Sequence, residues 1–428
     1  MLFILTILAR ATLLKYKPKV IAITGSVGKT SAKDLIFSVV SSSFYARKSE
    51  KSFNSEFGVP LTILGLPNAW RDPLAWLVNF FRGLGLIAFP HKYPKWLVLE
   101  MGADHPGDIK SLVSWVRPRI GVLTGLGSEV PVHIEFFPSI ESLVKEKSEL
   151  LRNLDSFDIA IINCDDERAW HMRGSTQAQV LSYGFAKVAS VQADSLHVNY
   201  DTKGPVGMGF RIDYDGKSLP IRLFGVLGKG HAYAAMAAFA TGAVLGINLV
   251  GIAEALAGHT FAPGRMRILE GLHSSVLIDD TYNSSPSAVK LALESLQELN
   301  LAKHFPNGRK IVVLGDMLEL GEYSQVEHEK VGTRIRGVVD VLVCVGKKAH
   351  TIGESALVDG MQKDNVIFFD NSREAGVFLA DMLTEGDIVL LKGSQSMRME
   401  RATEILLADH SKTQELLVRQ EKEWKARK

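Results

Sequence analysis

Residues 19–36 read KVIAITGSVGKTSAKDLI, and this stretch decides the fold. An apolar run (19–24) leads into a glycine-rich loop that ends in Gly28-Lys29-Thr30, and a helical pattern begins directly after it. Glycines let backbone N–H groups approach phosphate oxygens, and the helix N-terminus adds a positive dipole end. We therefore predict a phosphate-binding loop, shorter than usual between its glycines, in which Lys29 reaches the β- and γ-phosphates and Thr30 offers its hydroxyl to Mg²⁺. The alternative is an ordinary turn between a strand and a helix.

Apolar runs like the one before this loop recur along the chain and alternate with helical stretches. Near-continuous apolar runs are typical of strands that are buried on both faces of a sheet, and intervening helices indicate βαβ crossovers. We predict strands within residues 19–25, 96–102, 119–127, 158–166, 274–282, 310–317, 340–346, 365–371 and 387–393. The sequence thus predicts an α/β protein, with a central doubly wound, mostly parallel sheet of the P-loop type and a Rossmann-like α/β domain after it.

Residues 190–224 depart from this alternation. They show no helical pattern, and Asp215-Gly216 predicts a hairpin turn, so we expect a small antiparallel patch there. An Ala-rich stretch at 231–246 predicts a buried helix, and a segment with glycine and proline at 258–266 marks a domain boundary. We divide the chain into an apolar N-terminal helix (1–18), a central nucleotide-binding domain (19–262), a C-terminal domain (263–410) and a charged tail that continues as a helix into solvent (411–428).

The composition indicates a globular protein without a nucleic-acid partner. Of the 428 residues, 46% are hydrophobic and 22% are charged, which is ordinary for a folded protein. The 49 Lys and Arg against 47 Asp and Glu leave a formal net charge of +2. This is not the excess of basic residues that is typical of a protein that binds nucleic acid. Two cysteines cannot build a disulfide framework or a zinc cluster, which favours a reducing compartment. We expect a cytoplasmic monomer.

Two apolar regions each allow two interpretations. Residues 2–9 are apolar, but the run is much shorter than the roughly 20 residues that span a bilayer. We therefore favour a first helix packed on the following sheet over a membrane-surface anchor. Residues 66–96 contain seven aromatic side chains, for which we predict a buried amphipathic helix. The alternative is a surface that faces a membrane or a partner, because exposed apolar patches mark interaction sites.

Acidic and polar side chains recur where predicted strands end. Glu100 closes one strand, Asn163 closes another, and Asp279 and Asp280 close a third. Ligands of open α/β sheets bind outside the carboxyl ends of the strands. Mg²⁺ prefers one or two carboxylates together with phosphate oxygens, so Glu100 is a candidate ligand. Each of the Asp and Asn side chains alone would more commonly cap a helix.

Further motifs follow the loop in a fixed order along the chain. They are FNSEFGVPLTIL (53–64), LEMGADHPGDI (99–109), GSEVPVHIEFFPSIESLVKEKSEL (127–150), INCDDERAW (162–170), PGRM (263–266) and DDTYNSSP (279–286). Together with the loop they resemble the ATP-dependent Mur ligases over nearly the whole chain, from residue 19 to about residue 407. The stretches 314–328 and 390–401 are similar to motifs of the branch that adds D-alanyl-D-alanine.

The resemblance implies a set of site residues. The implied catalytic residues are Lys29, Glu100, His133, Lys147 and Arg265. The implied ATP contacts are Thr24, Gly25, Ser26, Val27, Gly28, Lys29, Thr30, Ser31, Asn163, Arg265, Asp280, Tyr282 and Asn283. The implied Mg²⁺ ligands are Thr30, Glu100, His133 and a carbamylated Lys147, and the implied substrate contacts are Asp316, Glu319, Lys392, Ser394 and Glu400. From the residues alone, Lys147 reads as a solvated lysine on a charged helix and His133 as a surface histidine.

The resemblance also implies a reaction. ATP would phosphorylate the carboxylate of a UDP-N-acetylmuramoyl-tripeptide, and the amine of D-alanyl-D-alanine would attack the acyl phosphate to form an amide. Because Arg265 and residues 279–286 follow residue 262, where the central domain ends, the second domain must close on the first to complete the site, with residues 258–266 as the hinge. The alternatives are a ligase of the same chemistry that acts on another carboxylate, and a nucleotide-binding scaffold without turnover.

The sequence departs from the family pattern in three places. In one of them, a loop that is normally rich in Asn has Ser52, Asn54 and Ser55, and Ser285 stands where Asn is common. The family carries an additional N-terminal domain that grips UDP, and the chain leaves no room for it before Gly25. We therefore expect that residues 66–96 or the apolar N-terminus replace this domain, or that the acceptor is lipid-linked or simpler. The helix that opens His-Asn in the family reads His231-Ala232-Tyr233 here, so we expect adenine selectivity to be looser or to lie elsewhere.

Overall fold

The computed structural model describes residues 1–50, 53–70 and 72–425. Arg71 of the aromatic region and the last three residues of the predicted tail therefore lie outside the described residues. The strands are β1 (Lys19–Thr24), β2 (Ala46–Lys48), β3 (Trp96–Glu100), β4 (Ile120–Leu123), β5 (Ile159–Asn163), β6 (Gln179–Gly184), β7 (Val191–Tyr200), β8 (Pro205–Tyr214), β9 (Lys217–Phe224), β10 (Arg267–Glu270), β11 (Val276–Asp280), β12 (Lys310–Gly315), β13 (Val341–Val345), β14 (Val366–Phe369) and β15 (Ile388–Lys392).

Helices connect and flank these strands. They are α1 (Leu2–Tyr16), α2 (Lys29–Ser41), α3 (Gly58–Leu64), α4 (Pro73–Ala88), α5 (Asp108–Val116), α6 (Ile140–Arg152), α7 (Glu167–His171), α8 (Lys229–Val244), α9 (Leu249–Ala257), α10 (Pro286–Gln297), α11 (Leu301–His304), α12 (Ser324–Thr333), α13 (Ala349–Val358), α14 (Ser372–Met382), α15 (Glu400–Leu406), α16 (Thr413–Leu416) and α17 (Lys422–Lys425).

The first sheet contains nine strands in the order β2-β3-β1-β4-β5-β6-β7-β8-β9. Neighbouring strands from β2 to β7 are parallel. Successive side chains of a strand point to opposite faces. In β1, Val20 and Ala22 accordingly pack with α1, α3 and α5, while Ile21 and Ile23 pack with α2 and α8. Both faces are therefore buried, as the continuous apolar run of β1 predicted.

The predicted antiparallel patch forms the far edge of this sheet. β7 pairs antiparallel with β8, and β8 with β9. The turn between β8 and β9 is Asp215-Gly216, and both residues have positive φ angles, of 50° and 69°. Two left-handed residues are what a two-residue hairpin of type I′ needs. The predicted hairpin is confirmed, and so is the buried Ala-rich helix, which is α8.

The second sheet contains six strands in the order β10-β11-β15-β12-β13-β14. β10 pairs antiparallel with β11, and the other neighbours are parallel. Alternate side chains of β12 again face opposite layers, with Ile311 and Val313 on the side of α14 and α15 and Val312 on the other. All nine predicted strands are present, and the predicted fold class is confirmed.

One of the two predictions for the apolar regions needs correction. α1 packs mainly against α3 and α4, and its buried side chains belong to the same apolar cluster as Val20 and Ala22 of β1. α4 is a surface helix, of which only Asn79 and Gly83 are buried. The expectation of a buried helix within 66–96 was wrong, because the apolar side chains of α4 occur on more of its circumference than one packing face can cover. No helix among the described residues is long and apolar enough to cross a membrane.

The charged tail also differs from its prediction. Instead of one helix in solvent, it forms the single turns α16 and α17, with an irregular segment between them. Leu417 and Arg419 of that segment are buried. Arg419 donates hydrogen bonds to Glu400 and to the carbonyl oxygens of Thr281 and Tyr282. The expectation failed because a buried carboxylate fixes this segment against the second sheet.

Candidate active site

The glycine-rich loop lies between β1 and α2, and the neighbouring strand β4 fixes its shape. Gly25 has a φ of 146°, and a Cβ built there would lie 2.0 Å from the hydroxyl oxygen of Thr124. The N–H groups of the next two residues donate to the carbonyl oxygen of Gly125, at 2.9 and 3.0 Å. Gly28, with a φ of 82°, turns the chain into α2. Since both glycines adopt backbone conformations that side chains disfavour, the loop requires them.

Two lysines meet at this loop. The ammonium of Lys29 donates to the carbonyl oxygen of Gly25 at 2.9 Å, and Lys147 of α6 donates to the same oxygen at 3.1 Å. Burial, together with the neighbouring charge of Lys29, lowers the pKa of Lys147 to about 7. Burial also lowers the pKa of Lys29. The loop therefore concentrates positive charge where a phosphate group would neutralise it.

Glu100, at the end of β3, is buried beside the loop. Its Oε1 accepts hydrogen bonds from Thr30 Oγ1 and from Asn54 Nδ2, both at 3.3 Å. Among the described residues its Oε2 accepts no hydrogen bond, and Lys33 Nζ lies 3.6 Å from it. A buried carboxylate oxygen without a hydrogen bond is costly, and a cation bound between Glu100 and Thr30 would satisfy it.

Arg265 reaches this cluster from the segment that leads to the second sheet. Its guanidinium donates to Thr30 Oγ1 at 3.2 Å and lies 3.9 Å from the ring centroid of Tyr282. His231 Nε2 lies 2.9 Å from the carbonyl oxygen of Arg265, and a carbonyl oxygen accepts only, so this nitrogen carries the proton. Burial lowers the pKa of His231 to about 4, so the imidazole is neutral near pH 7 and holds the backbone of Arg265.

Two further ion pairs join elements of the site. Lys392, at the end of β15, donates to Asp280 at 2.6 Å and to the carbonyl oxygen of Asn283 at 2.9 Å. His133 Nδ1 lies 2.8 Å from Glu319, and His133 Nε2 lies 3.6 Å from Asp104. The hydrogen bond from His133 lowers the pKa of Glu319.

Three neighbouring cavities surround the loop. The loop cavity, about 320 Å³, lies between the loop and the start of the second sheet, and Lys29 and Arg265 line it. The Asn163 cavity, about 560 Å³, shares Val27 and Gly28 with the loop cavity. The Trp70 cavity, about 1370 Å³, lies on the other side and shares Thr30, Arg265, Tyr282 and Gln395 with the loop cavity.

The structure gathers most of the predicted site residues around the loop cavity. Those that line it are Ser26, Val27, Gly28, Lys29, Thr30, Ser31, Glu100, His133, Arg265, Asp280, Tyr282, Asn283 and Lys392. Asn163 lines the adjoining cavity named after it. Those that line none of the three cavities are Thr24, Gly25, Lys147, Asp316, Glu319, Ser394 and Glu400.

Several of the predicted site residues that line none of the three cavities have structural contacts. The hydroxyl of Thr24 donates to the carbonyl oxygen of Met101, behind the loop. Asp316 accepts the N–H groups that open α13, and Ser394 Oγ accepts from the N–H of Leu318. These contacts fix the loops around the site, and the substrate roles of Asp316 and Ser394 stay predictions.

Glu400 has a structural contact as well. It is buried, and its two carboxylate oxygens accept from Arg398 at 2.5 Å and from Arg419 at 2.8 Å. A substrate could reach it only by displacing one of these arginines. Glu400 anchors the tail, and its substrate role stays a prediction.

The sequence interpretation missed the residues that complete the Asn163 cavity. Tyr233 donates to Asp165 at 2.9 Å, and Lys229 lies over the rings of Phe185 and Tyr233. Lys229 lies within a second glycine-rich segment, GVLGKG at 225–230, at the start of α8. A glycine followed by a lysine at the start of a helix, the pattern that indicates a role for Lys29, is therefore present here too. The sequence interpretation includes Tyr233 only as a departure from the family pattern.

The residues present fit a Mg²⁺ ion that is bound together with phosphate. No group of three or more His, Cys, Asp or Glu side chains that could hold a metal ion occurs within residues 1–50, 53–70 and 72–425. A protein-only metal cage is thus lacking in that part of the chain. Mg²⁺ needs only one or two carboxylates when phosphate oxygens and water complete its shell. Glu100, with its unsatisfied oxygen, and the hydroxyl of Thr30 meet this requirement.

Two family models match the chain, one over the part that contains the first sheet and one over the part that contains the second. The Mur ligase middle domain matches residues 23–242, just over half of the 428 residues. The chain belongs to the Mur ligase family. The model described as "Mur ligase, glutamate ligase domain" matches residues 264–395. The predicted resemblance is thereby confirmed.

Similar proteins are found among curated sequences and solved structures. The UDP-N-acetylmuramoyl-tripeptide–D-alanyl-D-alanine ligase of Bacillus subtilis (strain 168) is 28% identical over 402 residues, which cover 94% of this chain and 78% of the relative. The enzyme of the same name from Escherichia coli (strain K12) is 27% identical over 394 residues, 91% and 76% of the two chains. The MurF ligase of Thermotoga maritima, solved in complex with ADP, superposes with a TM-score of 0.76 at 26% identity, and the match covers 97% of this chain and 84% of that chain.

As a member of the Mur ligase family, the protein is an ATP-dependent ligase that takes small-molecule substrates. Its site agrees with this class, because phosphate-binding, carboxylate and guanidinium groups meet at Thr30. The loop supplies backbone N–H groups and the N-terminus of α2. This combination favours the binding of a nucleoside triphosphate in the loop cavity.

Proposed function

We propose that the protein joins D-alanyl-D-alanine to the terminal carboxyl group of a UDP-N-acetylmuramoyl-tripeptide at the expense of ATP, in cytoplasmic peptidoglycan precursor synthesis. The observation that carries this proposal is the junction of the loop cavity with the larger Trp70 cavity at Thr30 and Arg265. Phosphoryl transfer needs the phosphate donor and the acceptor carboxylate to meet in line at one point. The names of the relatives supply the two substrates.

The three cavities suggest where each part of the substrates would lie. The phosphates of ATP would occupy the loop cavity, and the nucleoside would extend into the Asn163 cavity, where Tyr233 offers an aromatic face. The tripeptide acceptor would occupy the Trp70 cavity, which is large enough for a substrate longer than an amino acid. The placement follows from the order of the cavities, because the loop cavity is the one that adjoins both others.

Mg²⁺ would be held by Glu100 and Thr30, and when bound it neutralises charge on the phosphates. His133 and a carbamylated Lys147 are proposed as further ligands. The geometry supports part of this: Lys147 has a pKa near 7, and only a neutral amine reacts with CO₂. His133 presently contacts Asp104 and Glu319, so its participation would require it to exchange these partners.

The reaction would proceed in two steps. An oxygen of the acceptor carboxylate attacks the γ-phosphorus, the bond to the bridging oxygen of ADP breaks, and an acyl phosphate forms. The amine of D-alanyl-D-alanine then attacks the acyl carbon, loses a proton, and phosphate departs as the amide forms. Lys29 and Arg265 would stabilise the charge that develops on the transferred phosphoryl group, because both line the cavity at this point.

The first test measures phosphate release from ATP, with D-alanyl-D-alanine present and with or without UDP-N-acetylmuramoyl-tripeptide, followed by mass spectrometry of the product. We expect phosphate release that depends on both substrates and a pentapeptide product. In Lys29→Ala, kcat should fall by at least about a hundredfold, because a phosphate-contacting charge is lost. Lys363→Ala, an exposed lysine of the second half of the chain, is the matched control and should keep full activity.

Other results would redirect the proposal. Nucleotide binding with turnover only on a different carboxylate would overturn the assigned acceptor and keep the ligase chemistry. Nucleotide binding without turnover on any acceptor would favour the scaffold. Full activity in Lys29→Ala would contradict the role of the loop.

A further inference from the structure

We propose that α1 and α4 together form a docking surface for the face of a phospholipid bilayer that contains anionic lipids. We call it the α1–α4 surface and define it by residues 1–17, 70 and 72–92. Of the 24 large hydrophobic side chains that are exposed among the described residues, 12 belong to this surface. This concentration lies outside the sites derived above for nucleotide and phosphate. It does not depend on the ligase function.

On α1 the exposed apolar side chains follow one stripe. Phe3, Ile7 and Leu14 are exposed by 76%, 48% and 76%, at the spacing of one helical face, and Arg10 lies on the same stripe. The opposite face, with Leu5 and Leu8, is buried in the protein. A helix that is apolar on both its inner and its outer face needs a second apolar environment.

α4 has the same property. Leu74, Leu77, Phe81 and Leu84 are exposed by 72%, 52%, 61% and 39% and again recur at helical spacing. The single charged residue of the helix is Arg82, which is also exposed. Exposed apolar patches of this size on a monomer mark an interaction site.

The two helices are held together firmly without these outer side chains. Leu8 of α1 packs on Gly83 of α4, where a Cβ would lie 3.0 Å from Leu8 Cδ1. At the other end, Lys15 Nζ and Tyr16 Oη both donate to the carbonyl oxygen of Leu86, at 3.1 and 2.8 Å. The exposed apolar side chains are thus not needed to pack α1 against α4, and they remain available to a partner.

Charge favours a lipid surface as that partner. Within residues 1–17 and 72–92 there are five Lys and Arg and a single acidic residue, Asp72, a net charge of +4, whereas the other 44 basic and 46 acidic residues give the rest of the chain a net charge of −2. Arg10, Lys17, Arg82 and Lys92 are exposed at or beside the apolar side chains. Apolar side chains rimmed by basic ones are the combination that binds anionic membranes in the plane of the interface.

The Trp70 cavity opens beside this surface, because Trp70, Asp72 and Ala75 line the cavity and lead into α4. If the proposed ligase function also holds, docking would bring the acceptor side of the site next to the bilayer. This consequence alone rests on the proposed function. The docking itself is tested without any substrate.

The test is sedimentation of the full chain with vesicles, in the absence of nucleotide. We expect binding to vesicles of equal parts phosphatidylcholine and phosphatidylglycerol, much weaker binding to pure phosphatidylcholine, and loss of binding as salt is raised. The double variant Leu77→Ser/Phe81→Ser should reduce the affinity at least about tenfold with an unchanged melting temperature. Phe157→Ser, which alters a phenylalanine exposed by 78% elsewhere on the protein, is the matched control and should bind normally.

A second variant separates charge from apolar contact. Arg82→Glu should weaken binding to the anionic vesicles and flatten its salt dependence, while the apolar stripe stays intact. Absence of binding by the unaltered protein, or undiminished binding by Leu77→Ser/Phe81→Ser, would overturn the proposal. So would light scattering that shows a dimer abolished by that double variant, because a second copy of the chain would then cover the α1–α4 surface.

Discussion

At the scale of single residues, the site depends on a shared carbonyl oxygen. Lys29 and Lys147 both donate to the oxygen of Gly25. Two buried positive charges at one acceptor repel each other, and desolvation disfavours both. The pKa of each lysine is accordingly lowered, that of Lys147 to about 7. The charge of Lys147 can therefore change near neutral pH.

The first residue-scale prediction concerns the chemistry of Lys147. Its folded pKa, about 7, lies below the ordinary 10.5, so the neutral amine becomes dominant as the pH rises through 7. If this amine is carbamylated, ligase activity should fall below pH 7 and after removal of dissolved CO₂, and bicarbonate should restore it. Lys147→Ala should lose at least about a hundredfold in kcat with its melting temperature little changed.

A neighbouring lysine provides the control. Lys145 lies on α6 as well but is exposed, so Lys145→Ala should keep both the activity and its response to bicarbonate. Activity that is insensitive to CO₂ between pH 6 and pH 8, both about one unit from the pKa of Lys147, would contradict carbamylation.

At the scale of elements, the tail is held by a buried charge cluster. Glu400, at the start of α15, accepts from Arg398 and Arg419, and Arg419 also donates to two backbone carbonyl oxygens next to Tyr282. Tyr282 in turn carries the guanidinium of Arg265 on its ring. The segment between α16 and α17 therefore supports the residues that surround the junction of the loop and Trp70 cavities.

The element-scale prediction is that Arg419→Ala destabilises the protein and loosens the tail. Removing one partner leaves a buried carboxylate and two carbonyl oxygens underpaired, which costs about 2 kcal/mol or more. Thermal unfolding should report the loss, and trypsin should cleave within residues 419–425 faster than in the unaltered protein. Lys422→Ala removes an exposed charge three residues further on and should leave stability unchanged. Equal protease resistance in both variants would contradict the anchoring role.

At the scale of the whole molecule, Glu129 bridges the two halves of the chain. It follows β4 of the first sheet, and its carboxylate accepts from Arg334 at 3.0 Å, lies 3.4 Å from Lys290 and accepts from Ser287 at 3.3 Å. Burial alone would raise its pKa, but the hydrogen bond from Ser128 and the charges of Lys290 and Arg334 lower it to about 2. This bridge and the contact of Arg265 with Thr30 hold the two sheets around the site.

The whole-molecule prediction is that Glu129→Gln loosens this closed arrangement. The radius of gyration from small-angle scattering should increase without nucleotide, and kcat/KM for the acceptor should fall about tenfold. Because the folded pKa is lowered, the stability that Glu129 contributes is present above pH 4.5 and is lost as the pH falls toward 2. The unaltered protein should therefore expand over that range more than the variant.

Glu149→Gln is the control for this prediction, because Glu149 pairs only with Arg152 on its own helix among the described contacts. It should leave the radius of gyration unchanged. The predicted hinge at 258–266 would be in doubt if neither the substitution of Glu129 nor the addition of nucleotide and acceptor altered the scattering.

Much of the fold and part of the site could be predicted from the sequence alone. Strands such as β1 and β12 are continuous apolar runs. Such runs are typical of parallel strands that are buried on both faces of a sheet, so the sequence predicts them well. The Asp215-Gly216 turn and the loop at Gly25–Thr30 depend on local backbone geometry, which few residue types permit. The sequence could therefore locate the phosphate-binding loop, the two sheets and Glu100 at the end of β3, because each depends on neighbours along the chain.

Only the tertiary structure decided which groups meet across long separations in sequence. Lys147 and Lys29 share one oxygen, and Glu400 accepts from Arg419 of the tail. Tyr233 and Lys229 line the same cavity as Asn163. It also decided that α4 faces outward, although its composition suggested a core helix. The burial and the pKa of a side chain depend on the residues that the rest of the chain places around it. The periodicity of one helix or strand does not show which residues those are. The sequence by itself determined the elements and the loop, and the packing of distant segments determined which of their side chains act together.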